Sequence, residues 1–387
     1  MERMEETVPD ADEQSLQHFI SNSTWDARAV MNQVAADADA VLGGFDDTIL
    51  VIDDSGIPKK GTHSVGVSRQ YCGQTGKVDN CQVGVYASLV HGDKATLIDA
   101  RLFLPERWTN DEERCERAGI PVEERQFRTK HEIALEIVQN ALDSGVRFGY
   151  VAFDGFYGEN GELLRILDGA GLRFLADVHK DQRMFADDPQ KLRKGNAVAV
   201  RVDEWVAAQP AQAWRRVTTR QGTKGPIEIE LLHRGVWLWK TTDAQSYCWH
   251  LIVRREVGKP EEIKYTLSNA APDVPKQQLA YLQGQRYWVE RCLQDAKQQA
   301  GLGDYQVRGW VGWHHHMAMV LMATLFMLEQ RIESGEELPL TCSDIEWVLK
   351  QMLPTRGQTE DAILSLLEKR LRKRRAPVAD YSPPESM

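Results

Sequence analysis

Cysteine is scarce in this chain of 387 residues, and its six cysteines are spread without a CxxC pair. This spacing favours reduced thiols over a disulfide framework or a zinc site. No segment approaches the roughly 18 uninterrupted apolar residues that a membrane span requires. The N-terminal sequence MERMEE lacks the apolar core of a signal peptide. We therefore expect a cytoplasmic protein that does not enter the membrane.

Positive charge is also in the minority, since 47 lysines and arginines face 57 acids and the net charge is −10. That balance argues weakly against a nucleic-acid partner, but the distribution of charge matters more than its sum. Acids crowd the first 47 residues, whereas bases cluster at 191–194, 214–225 and 369–375. A local basic surface on an acidic protein therefore stays open. An apolar content of 42% is that of a globular protein.

Hydrophobic patterning predicts an α/β protein. Strands are predicted at 48–52, 63–71, 81–90, 94–104, 148–153 and 172–178, and helices at 130–144 and 160–169. The alternation of strand, helix and strand after residue 148 is typical of an α/β core. From 183 to 270 the pattern changes to short strands rich in arginine, lysine and tryptophan, which predicts an all-β insertion.

The remaining segments are predicted to be helical. Residues 1–45 form a short helical N-terminal segment, and further helices are predicted at 276–300, 313–333, 343–353 and 359–375. The predicted organisation is a helical segment at 1–45, the first part of the core at 46–182, a β-rich insertion at 183–270, the second part of the core at 271–335, C-terminal helices at 336–376 and a disordered tail at 377–387. The second part of the core contains a helix that bears both acidic and basic residues.

Acidic residues follow two of the predicted strands, and a further acid lies on a predicted helix. Asp53 and Asp54 follow one apolar strand, and Asp154 follows another. On the helix at 285–303, a rotation of about 100° per residue puts Glu290 about 40° and Lys297 about 20° from Arg286. A solvated face with an ion pair explains that stripe on an arbitrary helix. Its combination with two strand-end acids favours a functional site.

Converging carboxylates without soft ligands suit hard cations, Mg²⁺ or Mn²⁺. Two such ions about 4 Å apart can clamp the attacking and leaving oxygens of a phosphodiester. Basic side chains on the same helix face, Arg286 and Lys297, would hold phosphate beside the ions. Lys59 and Lys60, just past the first acids, are either a solvated turn or further phosphate contacts.

Three stretches, at 51–86, 153–158 and 286–317, resemble the DDE transposases of bacterial insertion sequences, in the branch with a β-strand insertion before the catalytic Glu. The resemblance implies an RNase H-like fold whose Asp, Asp and Glu bind two divalent metals. Asp154 and Glu290 match the second and third acids. The first falls at Asp53 or Asp54, and we favour Asp54 as the residue nearer the strand exit. The tyrosine of the family signature is replaced by Gln283.

The resemblance further implies a transposase that hydrolyses DNA at transposon ends and joins the freed 3′-hydroxyl to target DNA. Relatives act as dimers on paired ends, so a homodimer bound to the nucleoid is expected. Relatives also carry a longer helical region before the first acid, so a truncated and catalytically impaired DNA-binding remnant fits the sequence as well. So does a metal-dependent nuclease that cuts DNA without joining it. A plain structural protein with solvated acids fits if the carboxylates do not meet.

Overall fold

The structure is a computed structural model that describes residues 8–9, 11–192, 197–222, 225–240, 243–335 and 339–353, with scattered residues between 359 and 371. Ten strands of this described part form one mixed sheet. The strand order is β2–β3–β1–β5–β6–β12–β11–β10–β9, and β4 also pairs with β3. The prediction of an α/β protein is confirmed.

The first six strands, with their bounds, are β1 (Ile49–Pro58), β2 (Ser68–Cys72), β3 (Lys77–His91), β4 (Lys94–Leu102), β5 (Tyr150–Phe153) and β6 (Phe174–Val178). β1 pairs antiparallel with β3 and parallel with β5, which in turn pairs parallel with β6. Residues 49–52 of β1 have no exposed surface, as expected for a central strand covered on both faces. The strand predicted at 63–71 begins only at Ser68, because Gly66 adopts a left-handed backbone with φ of 73°.

The helices in chain order are α1 (Glu13–Ser21), α2 (Ala27–Leu42), α3 (Glu106–Thr109), α4 (Glu112–Arg117), α5 (Lys130–Asp143), α6 (Gly155–Gly158), α7 (Gly161–Gly169), α8 (Val202–Ala207), α9 (Lys276–Gln285), α10 (Tyr287–Gln298), α11 (Trp310–Glu333) and α12 (Cys342–Met352). Asp12 and Asp26 accept backbone N–H groups at the starts of α1 and α2. The described residues of the N-terminal segment include the helices α1 and α2, and α2 packs against β3, β4 and α11.

The all-β insertion predicted at 183–270 is not confirmed, because the stretch combines strands with a helix. Its strands are β7 (Arg183–Met184), β8 (Val200–Arg201), β9 (Arg215–Gly222), β10 (Gly225–Leu238), β11 (Tyr247–Glu256) and β12 (Lys259–Ser268), and it also contains the helix α8. β12 pairs antiparallel with β6, so β9 to β12 extend the main sheet. The apolar alternation that predicts strands does not reveal which sheet they join.

The helix predicted at 276–300 is interrupted. α9 ends at Gln285 and α10 begins at Tyr287, because the N–H of Arg286 bonds to Gly284 instead of the carbonyl four residues back. α11 is long and apolar enough, by composition, to cross a membrane, but 61% of its most apolar window is buried and it packs against α2 and β4. The helix predicted at 359–375 lies largely outside the described residues, as does the tail at 377–387.

Candidate active site

The parallel pairing of β1, β5 and β6 stops at one level of the sheet. Ile52 of β1 pairs with Phe153 of β5, and Phe153 pairs with Ala176 of β6. The next residue of each strand is an acid, and the three acids are Asp53, Asp154 and Asp177. Residues at the same level of adjacent strands point to the same face of a sheet. The register therefore directs three carboxylates to one face.

Asp53 and Asp54 occupy adjacent positions of β1, so their side chains point to opposite faces. Asp54 Oδ2 forms an ion pair with Lys130 Nζ at 2.8 Å, at the start of α5. Burial, and then the Asp154 carboxylate, raise the pKa of Asp53 from 3.8 to about 7, against the opposing effect of Arg286. The geometry thus groups Asp53 with Asp154. It gives no support to the preference for Asp54, because nearness to the strand exit does not decide which face a side chain occupies.

Asp154 joins β5 to the short helix α6. Its backbone is extended, and one carboxylate oxygen accepts the N–H of Tyr157 at 3.3 Å. Burial raises the pKa of Asp154, with smaller contributions from the Asp54 and Asp177 carboxylates, while the Tyr157 N–H and the Arg286 guanidinium act in the opposite direction. The carboxylates of Asp53 and Asp154 are therefore both poorly solvated and lie on neighbouring strands. Such an arrangement is costly without a compensating cation.

Arg286 lies at the centre of the acidic residues. Its Nε donates to Asp177 Oδ2 at 2.9 Å, and its Nη2 lies 2.9 Å from Glu290 Oε1. Burial disfavours the charged guanidinium, but Asp177, Glu290, Asp53 and Asp154 together raise its pKa. Arg286 and Glu290 form an ion pair one helical turn apart, which a solvated helix face would also show. Glu290 is 54% exposed, so its carboxylate remains accessible.

A family profile described as "DDE superfamily endonuclease" matches residues 1–226, more than half of the chain. The chain belongs to the DDE superfamily of endonucleases. A relative described as "Probable transposase for insertion sequence element IS701", from Microchaete diplosiphon, is 26% identical over 300 residues. That similarity covers 76% of this chain and 69% of the relative. The profile match includes Asp53 and Asp154, whereas Glu290 lies beyond it.

Membership of the DDE superfamily implies dependence on divalent metal ions, and the acids fit such an ion. Carboxylate oxygens are the ligands that hard cations prefer. Burial and then repulsion by Asp154 raise the pKa of Asp53, and a cation would offset both effects. Within the described residues, Glu159, His179 and Asp181 bring potential ligand atoms within 4.8 Å of one another, and all three are exposed.

The predicted basic residues of this DDE endonuclease fall into two groups. Lys297 lies on α10, where burial lowers its pKa and the Asp53 carboxylate acts in the opposite direction. The ammonium of Lys59 instead donates a hydrogen bond to the backbone carbonyl of Tyr305 and lies 4.6 Å from the centre of the Tyr305 ring. Burial lowers the pKa of Lys59 to about 8. Lys60 is exposed. Lys297 thus faces the acids, and Lys59 holds the loop before α11.

Sequence reasoning missed Asp177 and its partners. Thr266 Oγ1 on β12 donates to Asp177 Oδ1 at 2.5 Å, and Gln283 Nε2 on α9 donates to Thr266 Oγ1 at 2.7 Å. Asp177 lies in the strand predicted at 172–178, at the end of an apolar run like those before Asp53 and Asp154. That repeated pattern was the available signal. The role of Thr266 has no signal in the sequence, because it depends on the pairing of β12 with β6.

Proposed function

We propose that this DDE endonuclease is a DNA transposase with an RNase H-like catalytic core, and that Asp53, Asp154 and Glu290 are its catalytic acids. The observation that carries the proposal is the alignment of Asp53 with Asp154 at the level where β1 and β5 stop pairing. The strand order β4–β3–β1–β5–β6, antiparallel and then parallel, supports the RNase H-like assignment. The similarity to the insertion-sequence relative supports the transposase activity.

The three acids would hold two Mg²⁺ or Mn²⁺ ions, which when bound supply Lewis-acid chemistry and neutralise charge on a phosphodiester. Asp53 and Asp154 already point to one face of the sheet. Glu290 would complete the set by turning from Arg286, a rotation that its exposed position on the first turn of α10 allows. Asp54 is left out of this set because it points to the opposite face of β1 from Asp53, where it pairs with Lys130.

Arg286 and Lys297 would bind the phosphate groups of DNA beside these acids. A guanidinium has five N–H donors, and the contacts of Arg286 with Asp177 and Glu290 use only two of its nitrogens. The partly buried ammonium of Lys297 adds a second positive charge near Asp53. Fixed cations at this position would orient the phosphodiester before cleavage. The substrates would be transposon ends and target DNA, bound by a homodimer.

The test is a cleavage and joining assay. Labelled DNA carrying the sequences that flank the coding region is incubated with target plasmid and Mg²⁺ or Mn²⁺, and both cut ends and joined products are measured. We expect Asp154→Asn and Glu290→Gln to lower both by about 10³-fold or more, because several kcal/mol of transition-state stabilisation depend on the ions.

Asp295→Asn is the matched control, because Asp295 lies on the same helix but pairs with Arg291. This variant should cleave and join at the wild-type rate. Cleavage without joining would support a nuclease instead of a transposase. Binding of DNA without cleavage in either metal would support an impaired remnant. Full activity of Asp154→Asn and Glu290→Gln would refute the assignment of the site.

A further inference from the structure

Asp177 stands level with Asp53 and Asp154, yet it is committed to other contacts. Its Oδ2 accepts the Nε of Arg286 at 2.9 Å, and its Oδ1 accepts the hydroxyl of Thr266 at 2.5 Å. Both oxygens are therefore engaged by protein donors, and the side chain is only 19% exposed. A carboxylate held from two sides is suited to orienting a neighbour more than to changing ligands.

The donors in this hydrogen-bond chain run in one direction. The amide of Gln283 donates to Thr266 Oγ1 at 2.7 Å, and the single proton of that hydroxyl is donated to Asp177. Gln283 and Thr266 are 4% and 1% exposed, so water does not compete for these bonds. Gln283 stands where the family signature has tyrosine. In this protein that position begins a series of buried hydrogen bonds that ends at Asp177, which also accepts the Nε–H of Arg286.

The contact through Nε determines what the rest of Arg286 can do. A guanidinium is planar, so a bond at Nε sets the direction of both terminal nitrogens. One of these, Nη2, reaches Glu290 at 2.9 Å. Glu290 is one helical turn from Arg286, so a tilt of the guanidinium would also move the partner of the Glu290 carboxylate.

We propose that Asp177 is a positioning residue that fixes the guanidinium of Arg286 and, in the metal-free protein, the position of Glu290 as well, with Thr266 and Gln283 as its support. This inference rests on the proposed function of Arg286 and Glu290. The inference gives β12 a role in the site, because Thr266 lies opposite Asp177 where β12 pairs with β6 and donates a hydrogen bond to it.

The test compares Asp177→Asn, Arg286→Gln and the double variant in the cleavage assay, with unfolding by urea measured alongside. Asp177→Asn should lower kcat by about 10- to 100-fold with little change in KM for DNA, since small misplacements of catalytic groups have effects of this size. The double variant should cleave within about twofold of Arg286→Gln alone, because both substitutions remove the same interaction. Wild-type activity of Asp177→Asn, or fully multiplicative losses, would overturn the proposal.

Asp99→Asn is the matched control for losing a buried aspartate–arginine pair. Asp99 is 3% exposed and pairs with Arg28 at 2.6 Å, with no contact to the acids of the site. A merely structural effect predicts the same outcome for both aspartates. We expect Asp99→Asn to lower stability while the folded protein keeps the wild-type kcat, and to combine multiplicatively with Arg286→Gln.

Thr266→Val keeps the proposal testable if Asp177→Asn does not fold. It preserves the side-chain shape, removes the donor to Asp177, and should lower kcat in the same direction but less. If the wild type cleaves no DNA, the proposed function fails, and the positioning proposal is tested by urea unfolding of the metal-free protein. Among the described residues Arg286 links Asp177 to Glu290, so Glu290→Gln should change the free energy of unfolding by different amounts in the wild type and in Asp177→Asn. Equal changes in both backgrounds would overturn the positioning proposal.

Discussion

Replacing Asp53 by asparagine removes a carboxylate whose charge the folded protein disfavours. In the folded state, burial and the neighbouring Asp154 raise the pKa of Asp53 to about 7 from an ordinary value of 3.8. The metal-free protein therefore loses stability when this group ionises. Asparagine has almost the same shape without the charge. We predict that Asp53→Asn abolishes DNA cleavage and yet stabilises the metal-free protein at pH 8.

The size of the effect follows from the pKa. A rise from 3.8 to about 7 corresponds to about 4 kcal/mol at about 1.4 kcal/mol for each tenfold change in proton affinity. We expect about 2 kcal/mol, because the amide does not reproduce every contact of the carboxylate. Below pH 4 the group is protonated in both the folded and the unfolded protein, so the gain vanishes. It grows between about pH 4 and pH 7 and is constant above.

Asp54→Asn is the matched control one residue away. Asp54 forms an ion pair with Lys130 at 2.8 Å, and the two side chains are 24% and 16% exposed. Removing one partner of such a pair leaves an uncompensated charge, so this variant should be less stable than the wild type by about 1–3 kcal/mol. The two adjacent substitutions are therefore expected to change the free energy of unfolding in opposite directions at pH 8.

The assay is urea unfolding in EDTA from pH 4 to pH 9, repeated with Mg²⁺. Mg²⁺ should stabilise the wild type and Asp54→Asn, but it should have little effect on Asp53→Asn, because binding to the folded state alone raises stability. A destabilised Asp53→Asn at pH 8, or a gain that persists at pH 4, would refute the argument from burial and repulsion. Loss of the Mg²⁺ response in Asp54→Asn instead would identify Asp54 as the ligand.

Two further predictions separate the lysines. Lys297→Met should lower DNA cleavage by about 10- to 100-fold while Lys297→Arg keeps most of it, because the proposed role of this cation near Asp53 is to bind phosphate; cleavage rates on the same DNA check this. Lys59→Met should lower the free energy of unfolding by about 1 kcal/mol and leave cleavage unchanged, since Lys59 contacts Tyr305. A loss of cleavage without a loss of stability would restore Lys59 as a phosphate contact.

The positions of the acids along the sequence could be predicted, but the choice between neighbours could not. Apolar runs followed by acids correctly place Asp154 at the end of β5, but the strand predicted to end at Ile52 continues to Pro58, so Asp53 and Asp54 lie inside β1. Adjacent residues of a strand point to opposite faces. Which face carries α10 is decided by packing between distant segments. Only the alignment of β1 with β5 groups Asp53 with Asp154.

The helix stripe illustrates what a local period can and cannot predict. Arg286 and Glu290 do form the expected pair one turn apart, because that relation depends only on helical geometry. The break between α9 and α10 at Arg286 was not predicted. The helical period also gave no sign of Asp177, which binds the same guanidinium from 109 residues away.

The placement of the stretch from 183 to 270, which the sequence does not predict, explains how the site is supported. The sequence predicts an all-β insertion at 183–270, but it does not predict which strands of the core the insertion pairs with. Because β12 pairs with β6, Thr266 lies opposite Asp177 in the same sheet. The helix α9 follows β12 in the sequence, and its Gln283 donates a hydrogen bond to Thr266. The extension of the sheet therefore provides the support that orients Arg286, and a change in β12 is expected to affect catalysis without touching DNA.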